Sequence, residues 1–270
     1  MSGIMMPYMG SMGQMGYVPP SSIPNLSLWY NGSASSTLVN GVSTQNFNAA
    51  VVNGSTISSW NDLSGAGHPA NVNGGTGKQP SYTTPIQNGL GAVTYDSASS
   101  HNLDINPLAW MASLSGFTIY VLARPTNFPA TIFPLAVTDT STGMWWNGTN
   151  WSIGCTAGNR GTVSITNDTT KFHRYGMIYD GSQTGNANRL RFTYDGVGET
   201  LSFTGTIPAT TGSPAYMFVG GNNRGAGAGG ATAGTYMDGY IGEVMIWTRT
   251  LTTSEQINVD NYLKVKWGVS

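Results

Sequence analysis

The chain has 270 residues, of which only 9% are charged, and its formal net charge is −1 at pH 7. Its lysine and arginine residues are scattered, which excludes the clustered cationic surface that nucleic acids and anionic membranes require. No apolar run approaches the roughly 18 residues needed to cross a bilayer, so neither nucleic acid nor membrane is a predicted partner. Cys155 is the sole cysteine, which excludes a disulfide within the chain, and we expect it to be a small buried side chain.

Residues 1–24 differ in composition from the rest of the chain. They hold half of the twelve methionines, spaced by glycines, and they end in a proline-rich stretch. Glycine and proline at this density oppose a helix, while methionine and tyrosine offer adaptable apolar contact area. We therefore predict an extended arm over 1–24 that anchors the folded domain, residues 25–270, to another molecule; the alternative is a disordered tail. The predicted anchoring residues are Met1, Met5, Met6, Tyr8, Met9, Met12, Met15 and Tyr17.

The same segment lacks the basic stretch and the uninterrupted apolar run of a secretory signal. If the protein acts outside a cell, we expect it to arrive there by another route, such as release inside an assembled particle.

After the arm, apolar patterns predict short strands separated by turns rich in glycine, asparagine and serine. The longest predicted strand, 116–124, is apolar on both faces and is expected at the centre of a sheet. Asp195 followed by Gly196 predicts a tight hairpin turn, and Pro134 predicts an edge position or a bulge in its strand. The other predicted strands are 131–137, 172–180, 189–195, 199–203 and 215–220.

Three aspartates, Asp62, Asp96 and Asp104, are candidates for a calcium site, although each also suits an ordinary turn. We predict no required cofactor and no other metal, because the three histidines are isolated and have no partner at ligand spacing. His68, which precedes a proline, is expected to have a structural role.

The segment 144–151 places three tryptophans around an Asn-Gly turn. Indoles at a loop tip would stack on the apolar face of a sugar, and the amide of Asn147 would bond to its hydroxyls. The candidate glycan-binding residues are therefore Trp145, Trp146, Asn147 and Trp151. The alternative is that the indoles pack in the core or against another subunit, with Trp145 and Trp151 on one face.

The distribution of carboxylates argues against a glycosidase, which needs two of them facing each other across the bond that it cleaves. The chain has three glutamates, Glu199, Glu243 and Glu255, and none stands in an alternating pattern that would place two carboxylates on one face of a strand. The Gly-x-Ser-x-Gly elbow of many hydrolases is also missing. We predict that the protein is not an enzyme and has no catalytic residue.

The C-terminal segment changes its hydrophobic period midway. Residues 240–247 are apolar on both alternating faces, which predicts a strand covered on both sides. Thr252 and Glu255 form a capping box that starts a helix, and Gly268 ends it. The apolar residues that share one side of this helix are Val259, Tyr262, Leu263 and Trp267. We therefore expect the helix to pack back on the sheet.

This closing segment reads G-x-I-G-E-V-x-I-W-x-R-x-L-T-x-x-E from Gly239, followed by Y-L-x-x-K-W-G from Tyr262. It resembles the end of laminin G-like, concanavalin A-like jelly-roll domains. Upstream, LSLWY at 26–30, ISSWNDLSGAGH at 57–68 and GLGAVTYD at 89–96 resemble the opening of the same domains. The resemblance implies an all-β, concanavalin A-like (laminin G-like) jelly-roll sandwich of two antiparallel sheets, with one short C-terminal helix and an extended N-terminal arm.

Domains of this kind are found in phage structural proteins and in bacterial surface adhesins. Together with the arm, the resemblance implies a non-enzymatic structural protein on the surface of a tailed-phage particle, as a capsid decoration or cement protein or a fibre-like module. Its expected location is the virion surface. Its expected partners are the major capsid protein or another virion protein, and sister copies in a homo-oligomer. The alternative is a carbohydrate-binding adhesin that recognises surface glycans.

Overall fold

The computed structural model describes residues 17–40, 51–72, 79–129, 133–156, 158–222 and 235–270. These residues form two large antiparallel sheets, a two-stranded ribbon and two α-helices. The strands are β1 (Leu26–Asn31), β2 (Leu38–Asn40), β3 (Ile57–Trp60), β4 (Ala70–Asn71), β5 (Ser81–Gln87), β6 (Leu90–Tyr95), β7 (Leu103–Ile105), β8 (Gly116–Pro125), β9 (Phe133–Thr138), β10 (Gly143–Trp146), β11 (Trp151–Thr156), β12 (Asn159–Val163), β13 (His173–Asp180), β14 (Leu190–Tyr194), β15 (Val197–Glu199), β16 (Ser202–Thr204), β17 (Met217–Val219), β18 (Gly221–Asn222), β19 (Thr235–Tyr236) and β20 (Gly239–Trp247). The helices are α1 (Asn186–Arg189), a single turn, and α2 (Thr253–Trp267).

The first sheet, sheet A, is built around the closing strand. Within the described residues its strand order is β15-β14-β13-β8-β20-β6-β5, and β1 also pairs with β20. One edge of β20 pairs with β8 along its length. The other edge is shared, because β6 pairs with residues 239–241 and β1 with residues 243–247. The predicted central position of strand 116–124, observed as β8, is confirmed.

The second sheet, sheet B, has the order β16-β12-β11-β10-β9-β17-β7-β4-β3-β2 in the described part of the chain. Side chains from the two sheets meet in one large core, in which Ile119 and Val244 of sheet A join Ile153 and Met217 of sheet B. Burial of this apolar surface is the main force that holds the sheets together. The predicted all-β sandwich of two antiparallel sheets with one short C-terminal helix is confirmed.

Helix α2 covers the outer face of sheet A. Its start is the predicted capping box, in which Thr252 and Glu255 each accept from the other's backbone N–H, and Gly268 ends it with a left-handed φ of 61°. The buried side of α2 packs on Met245 and Trp247 of β20. Strand β20 is therefore covered on both faces, as its sequence predicted.

A buried carboxylate joins the opening and closing motifs. Glu243 is fully buried, and its oxygens accept hydrogen bonds from Trp29 Nε1 at 2.8 Å and Trp267 Nε1 at 2.7 Å. Lys266 Nζ donates to the same carboxylate at 2.6 Å, and Tyr262 OH lies 3.0 Å from it. This Glu243 network satisfies a charge that would be costly to bury alone. It ties α2 and β1 to β20.

Two details differ from the sequence predictions. The predicted strand 199–203 is divided between the sheets: β15 pairs with β14 in sheet A, and β16 pairs with β12 in sheet B. The chain crosses at Leu201, which packs against the core. The one-turn helix α1 was not predicted.

Two predicted irregularities are confirmed. The turn at Asp195 and Gly196 has φ values of 51° and 80°, and it joins β14 to β15. Pro134 lies in β9, whose pairing with β10 shifts register there, as expected of a bulge.

The described part of the N-terminal segment, residues 17–24, packs on the domain. Ile23 is buried beside α2, and its carbonyl accepts from Trp247 Nε1 at 3.4 Å. The Tyr17 ring meets the Tyr262 ring edge-on, with 5.1 Å between centroids. The other predicted anchoring residues lie outside the described residues, so the anchoring role of the arm stays a prediction. Among the described helices, none is long and apolar enough to span a bilayer.

Candidate functional site

The three tryptophans proposed for glycan contact are buried. Trp145, Trp146 and Trp151 have exposed fractions of 1%, 5% and 1%. Trp146 and Trp151 are directly paired across β10 and β11 and both pack in the main core, whereas Trp145 points to the opposite side and packs with Phe218. In this conformation no indole offers a face to a sugar. These positions instead match the alternative prediction, in which the indoles pack inside the domain.

The expectation that Trp145 and Trp151 share a face is wrong, because the loop between the strands spans four residues. The Asn147 N–H donates to the Asn150 carbonyl at 3.0 Å, which places Trp146 opposite Trp151. The Asn147 side chain closes this loop by accepting from Thr149 N and Asn150 N. The side-chain oxygen of Asn147 is therefore already used in hydrogen bonds within the turn.

The candidate calcium ligands occupy separate structural positions. Asp96 accepts from Ala98 N and Ser99 Oγ in a turn, and Asp104 is buried on β7. Asp62 organises the loop that carries His68. Within the described ranges no group of three or more His, Cys, Asp and Glu side chains is arranged to hold a metal ion.

A different site lies beside two neighbouring strands of sheet B, β4 and β7. A cleft of about 420 Å³ opens between the loop that precedes β4 and the segment that follows β7. The imidazole of His68 stacks on the indole of Trp110, with centroids 4.5 Å apart and planes 12° apart. The lining residues are Gly67, His68, Pro69, Ile105, Asn106, Pro107, Ala109 and Trp110. We call this the His68–Trp110 cleft.

The carboxylate of Asp62 shapes the loop that carries His68. Its Oδ1 accepts from Trp29 N and Ser64 N, both at 2.8 Å, and its Oδ2 accepts from Ser64 Oγ at 2.7 Å and His68 N at 3.2 Å. Tyr30 OH donates to the His68 carbonyl. The motif Trp-Asn-Asp-Leu-Ser at 60–64 thus fixes the backbone on one wall of the cleft, and an ordered wall reduces the entropy lost on binding.

Trp110 reaches the cleft from the short 3₁₀ turn Ala109–Met111. Met111 is buried and anchors the turn, while Trp110 stays partly exposed. Its indole N–H has no hydrogen-bond acceptor in the described structure. Trp110 was not predicted from the sequence, because nothing in the local pattern shows that this ring lies beside His68.

The electrostatics of the cleft favour an uncharged ligand. Among the residues that the structure describes, no Asp, Glu, Lys or Arg lines it. Burial lowers the pKa of His68 from its usual value, and this outweighs the opposing effect of Asp62. The imidazole is therefore neutral near pH 7. The two stacked rings cover each other's inner faces, and the part of each ring that stays exposed is suited to the apolar face of a ligand.

No protein-family model matches the chain, and a search of curated proteins finds no match either. Solved structures are similar in fold. Domain 4 of the extracellular GH43 arabinanase AbnA from Geobacillus stearothermophilus, in complex with arabinotriose, has a TM-score of 0.55 and 12% identity, over 87% of this chain and 98% of that chain. The binding domain of Paraclostridial Mosquitocidal Protein 1 has a TM-score of 0.57 and 12% identity, over 91% of this chain and 55% of that one.

A third similar structure is the Trypanosoma rangeli sialidase, with a TM-score of 0.51 and 14% identity over 88% of this chain and 38% of the sialidase chain. This chain thus spans the whole arabinanase domain but only about half, or less, of the toxin and sialidase chains. These likenesses, all at low identity, show that the chain has the β-sandwich fold of these domains.

Proposed function

We propose that this chain is a carbohydrate-binding β-sandwich that holds a neutral sugar in the His68–Trp110 cleft. The observation that carries the proposal is the pair of stacked rings, fixed on one side by Asp62 and on the other by the turn that holds Trp110. A sugar has an apolar face that stacks on such rings, and its hydroxyls find partners in polar groups at the rim.

The similar structures support this proposal. The arabinanase domain was solved in complex with arabinotriose, and the binding domain of botulinum neurotoxin DC was solved in complex with SialylT. The finer assignment to laminin G-like or concanavalin A-like lectin domains rests on the sequence motifs, and we keep it as part of the proposal.

The experiment is a glycan array of neutral and acidic sugars probed with the wild-type protein, Trp110→Ala and Leu63→Ala. Leu63 lies in the same loop as His68 but points to solvent, so it is the matched control. We expect the wild type and Leu63→Ala to bind neutral glycans equally, and Trp110→Ala to lose about tenfold or more in affinity, since a buried aromatic contact contributes 1.5 kcal/mol or more. Equal binding by Trp110→Ala would contradict the proposed site.

We propose further that the chain binds without catalysis. Both oxygens of Glu243 are occupied in the buried network, and Glu255 is held by Arg249 at 2.6 and 2.8 Å as well as by the capping box. Two of the three glutamates thus serve the fold. An activity screen on the glycans that bind would contradict this if it found hydrolysis.

The virion-surface role is a separate proposal that rests on the sequence resemblance and on the methionine-rich arm. It predicts that deleting residues 1–16 leaves a folded domain that no longer joins phage particles. Unchanged incorporation of the truncated protein into particles would contradict the anchoring role, and it would leave the glycan proposal unaffected.

A further inference from the structure

A second hollow lies at one end of sheet A, and among the described residues it shares no lining residue with the His68–Trp110 cleft. It has a volume of about 280 Å³ and is formed where β6, β8 and β20 lie side by side. Its lining residues are Thr94, Tyr95, Asp96, Thr126, Asn127, Asp238, Gly239 and Tyr240. We call it the Tyr240 hollow. Two threonines, an asparagine, two aspartates and two tyrosines thus meet in a small space.

The ring of Tyr240 is held in place. The guanidinium of Arg124 lies over the Tyr240 ring, 4.4 Å from its centroid, and 5.3 Å from the centroid of Phe172. Such cation–π contacts fix the side chains of Arg124 and Tyr240. Arg124 Nε is buried and has no hydrogen-bond partner in the described part of the chain.

The carboxylates are oriented but not saturated. Asp238 Oδ1 accepts from Ser97 N at 2.7 Å, and its Oδ2 accepts from Ser97 Oγ at 2.9 Å and Asn127 Nδ2 at 3.4 Å. Asp96 accepts from Ala98 N and Ser99 Oγ. An ionised carboxylate has about four lone-pair sites, so each of these carboxylates can accept a further hydrogen bond. These acceptors suit O–H donors and repel an anion.

We propose that the Tyr240 hollow is a second binding site, and that its ligand is a neutral saccharide. Asp96 and Asp238 accept hydrogen bonds from sugar hydroxyls, Asn127 and Thr126 add one partner each, and Tyr240 contacts the ring of the sugar. The choice of a saccharide rests on the proposed function of the chain. The location of the second site and its preference for uncharged polyols rest only on the residues that line this hollow. With two sites on different sheets, the domain binds a branched or clustered glycan with greater avidity than either site gives.

The test is a residue-resolved ¹H–¹⁵N NMR titration with arabinotriose, maltotriose and lactose, and with glucuronate as the acidic counterpart. It is carried out on the wild type and on Trp110→Ala, which disables the first site. We expect at least one neutral sugar to shift the amides of Thr126, Asn127 and Tyr240 in both proteins, with the same Kd. Glucuronate should leave those amides unchanged.

Two variants identify the groups that bind. Asn127→Ala removes an exposed side chain whose hydrogen bond to Asp238 is long, at 3.4 Å, so the fold should persist. Loss of one neutral hydrogen bond to the ligand should weaken binding about two- to tenfold. Tyr240→Ala should weaken binding about tenfold or more. Asn188→Ala, an exposed asparagine on α1, is the matched control and should bind as the wild type does.

The outcomes separate the two proposals. Shifts confined to the residues around His68 would overturn the second site and leave the first intact. Shifts in the Tyr240 hollow that persist in Trp110→Ala, with none around His68 in the wild type, would support the second site and overturn the first. If none of the three neutral sugars shifts the hollow, or if Asn127→Ala and Tyr240→Ala bind as the wild type does, the second site is wrong.

Discussion

The Glu243 network and the His68–Trp110 cleft both combine aromatic rings with polar groups, but they use them differently. In the network the carboxylate is fully buried, and two indoles, a phenol and a lysine donate to it. In the cleft the rings are partly exposed, and the Trp110 N–H lacks an acceptor among the described residues. Complete internal pairing indicates a structural role, whereas partly exposed aromatic rings beside a cavity indicate a place for a ligand.

The strongest test of this contrast is Glu243→Ala. The substitution leaves the ammonium of Lys266 and two indole N–H groups without their acceptor in the interior. Because removing one partner of a buried ion pair leaves an uncompensated charge, we expect the free energy of unfolding to fall by about 3–5 kcal/mol. Urea denaturation measures this change.

Glycan affinity measured below the unfolding transition should change little in Glu243→Ala, since the network reaches the cleft only through the Trp29 backbone, whose N–H donates to Asp62. If the free energy of unfolding fell by less than about 1 kcal/mol, the Glu243 network would not be a main stabilising element of the fold.

A second test probes the packing beside the network. A Cβ at Gly242 would stand 2.8 Å from the Trp267 ring and 2.9 Å from Leu122 Cδ2. Gly242→Ala should therefore cost about 1–3 kcal/mol of stability through overpacking, measured by thermal or urea unfolding.

The matched control is Gly198→Ala in β15, where a new Cβ meets no atom within 4 Å. We expect this variant to unfold as the wild type does or slightly later, since alanine reduces the freedom of the unfolded chain. Equal effects of the two substitutions would refute the packing argument.

The third test addresses the cleft. Asp62→Ala removes the acceptor for the His68 N–H and for three other donors, so we expect a loss of about 1–2 kcal/mol in stability and weaker glycan binding, because His68 is no longer held against Trp110. Unfolding and glycan titration measure the two effects.

Asp180→Ala is the control, since Asp180 accepts from the backbone and hydroxyl of Ser182 in the same Asp-x-Ser arrangement. It should lose some stability and keep full glycan affinity. Full affinity in Asp62→Ala would show that Asp62 does not position the site.

Local signals predicted much of the fold. The capping box and terminal glycine of α2 are short-range features, and so are the two-sided apolar strand β20 and the turn at Asp195. Strand 199–203 was mispredicted as one unit because alternation of side chains indicates a strand but does not say which sheet receives it. That choice depends on the crossing at Leu201, a tertiary feature.

The candidate sites were less accessible to sequence reasoning. The Trp145–Trp151 segment has the composition of a sugar site, yet the length of its loop decides which faces the indoles occupy, and both faces are covered. His68 and Trp110 come from distant segments that only the adjacency of β4 and β7 brings together. The Asp-x-Ser motif at Asp62 was visible in the sequence, but its role in presenting His68 was not.

The edge of β20 that β1 and β6 share has a consequence for synthesis of the protein. Leu26, from an early segment, pairs opposite Trp247, from a late one. On the ribosome β1 therefore waits for its neighbour until the long stretch of chain between them and β20 itself have emerged, with its backbone groups open to mispairing. Pairing between strands that lie so far apart in the sequence forms slowly. A polypeptide that stalls before Gly239 would be a substrate for chaperones or proteases, and not a smaller working domain.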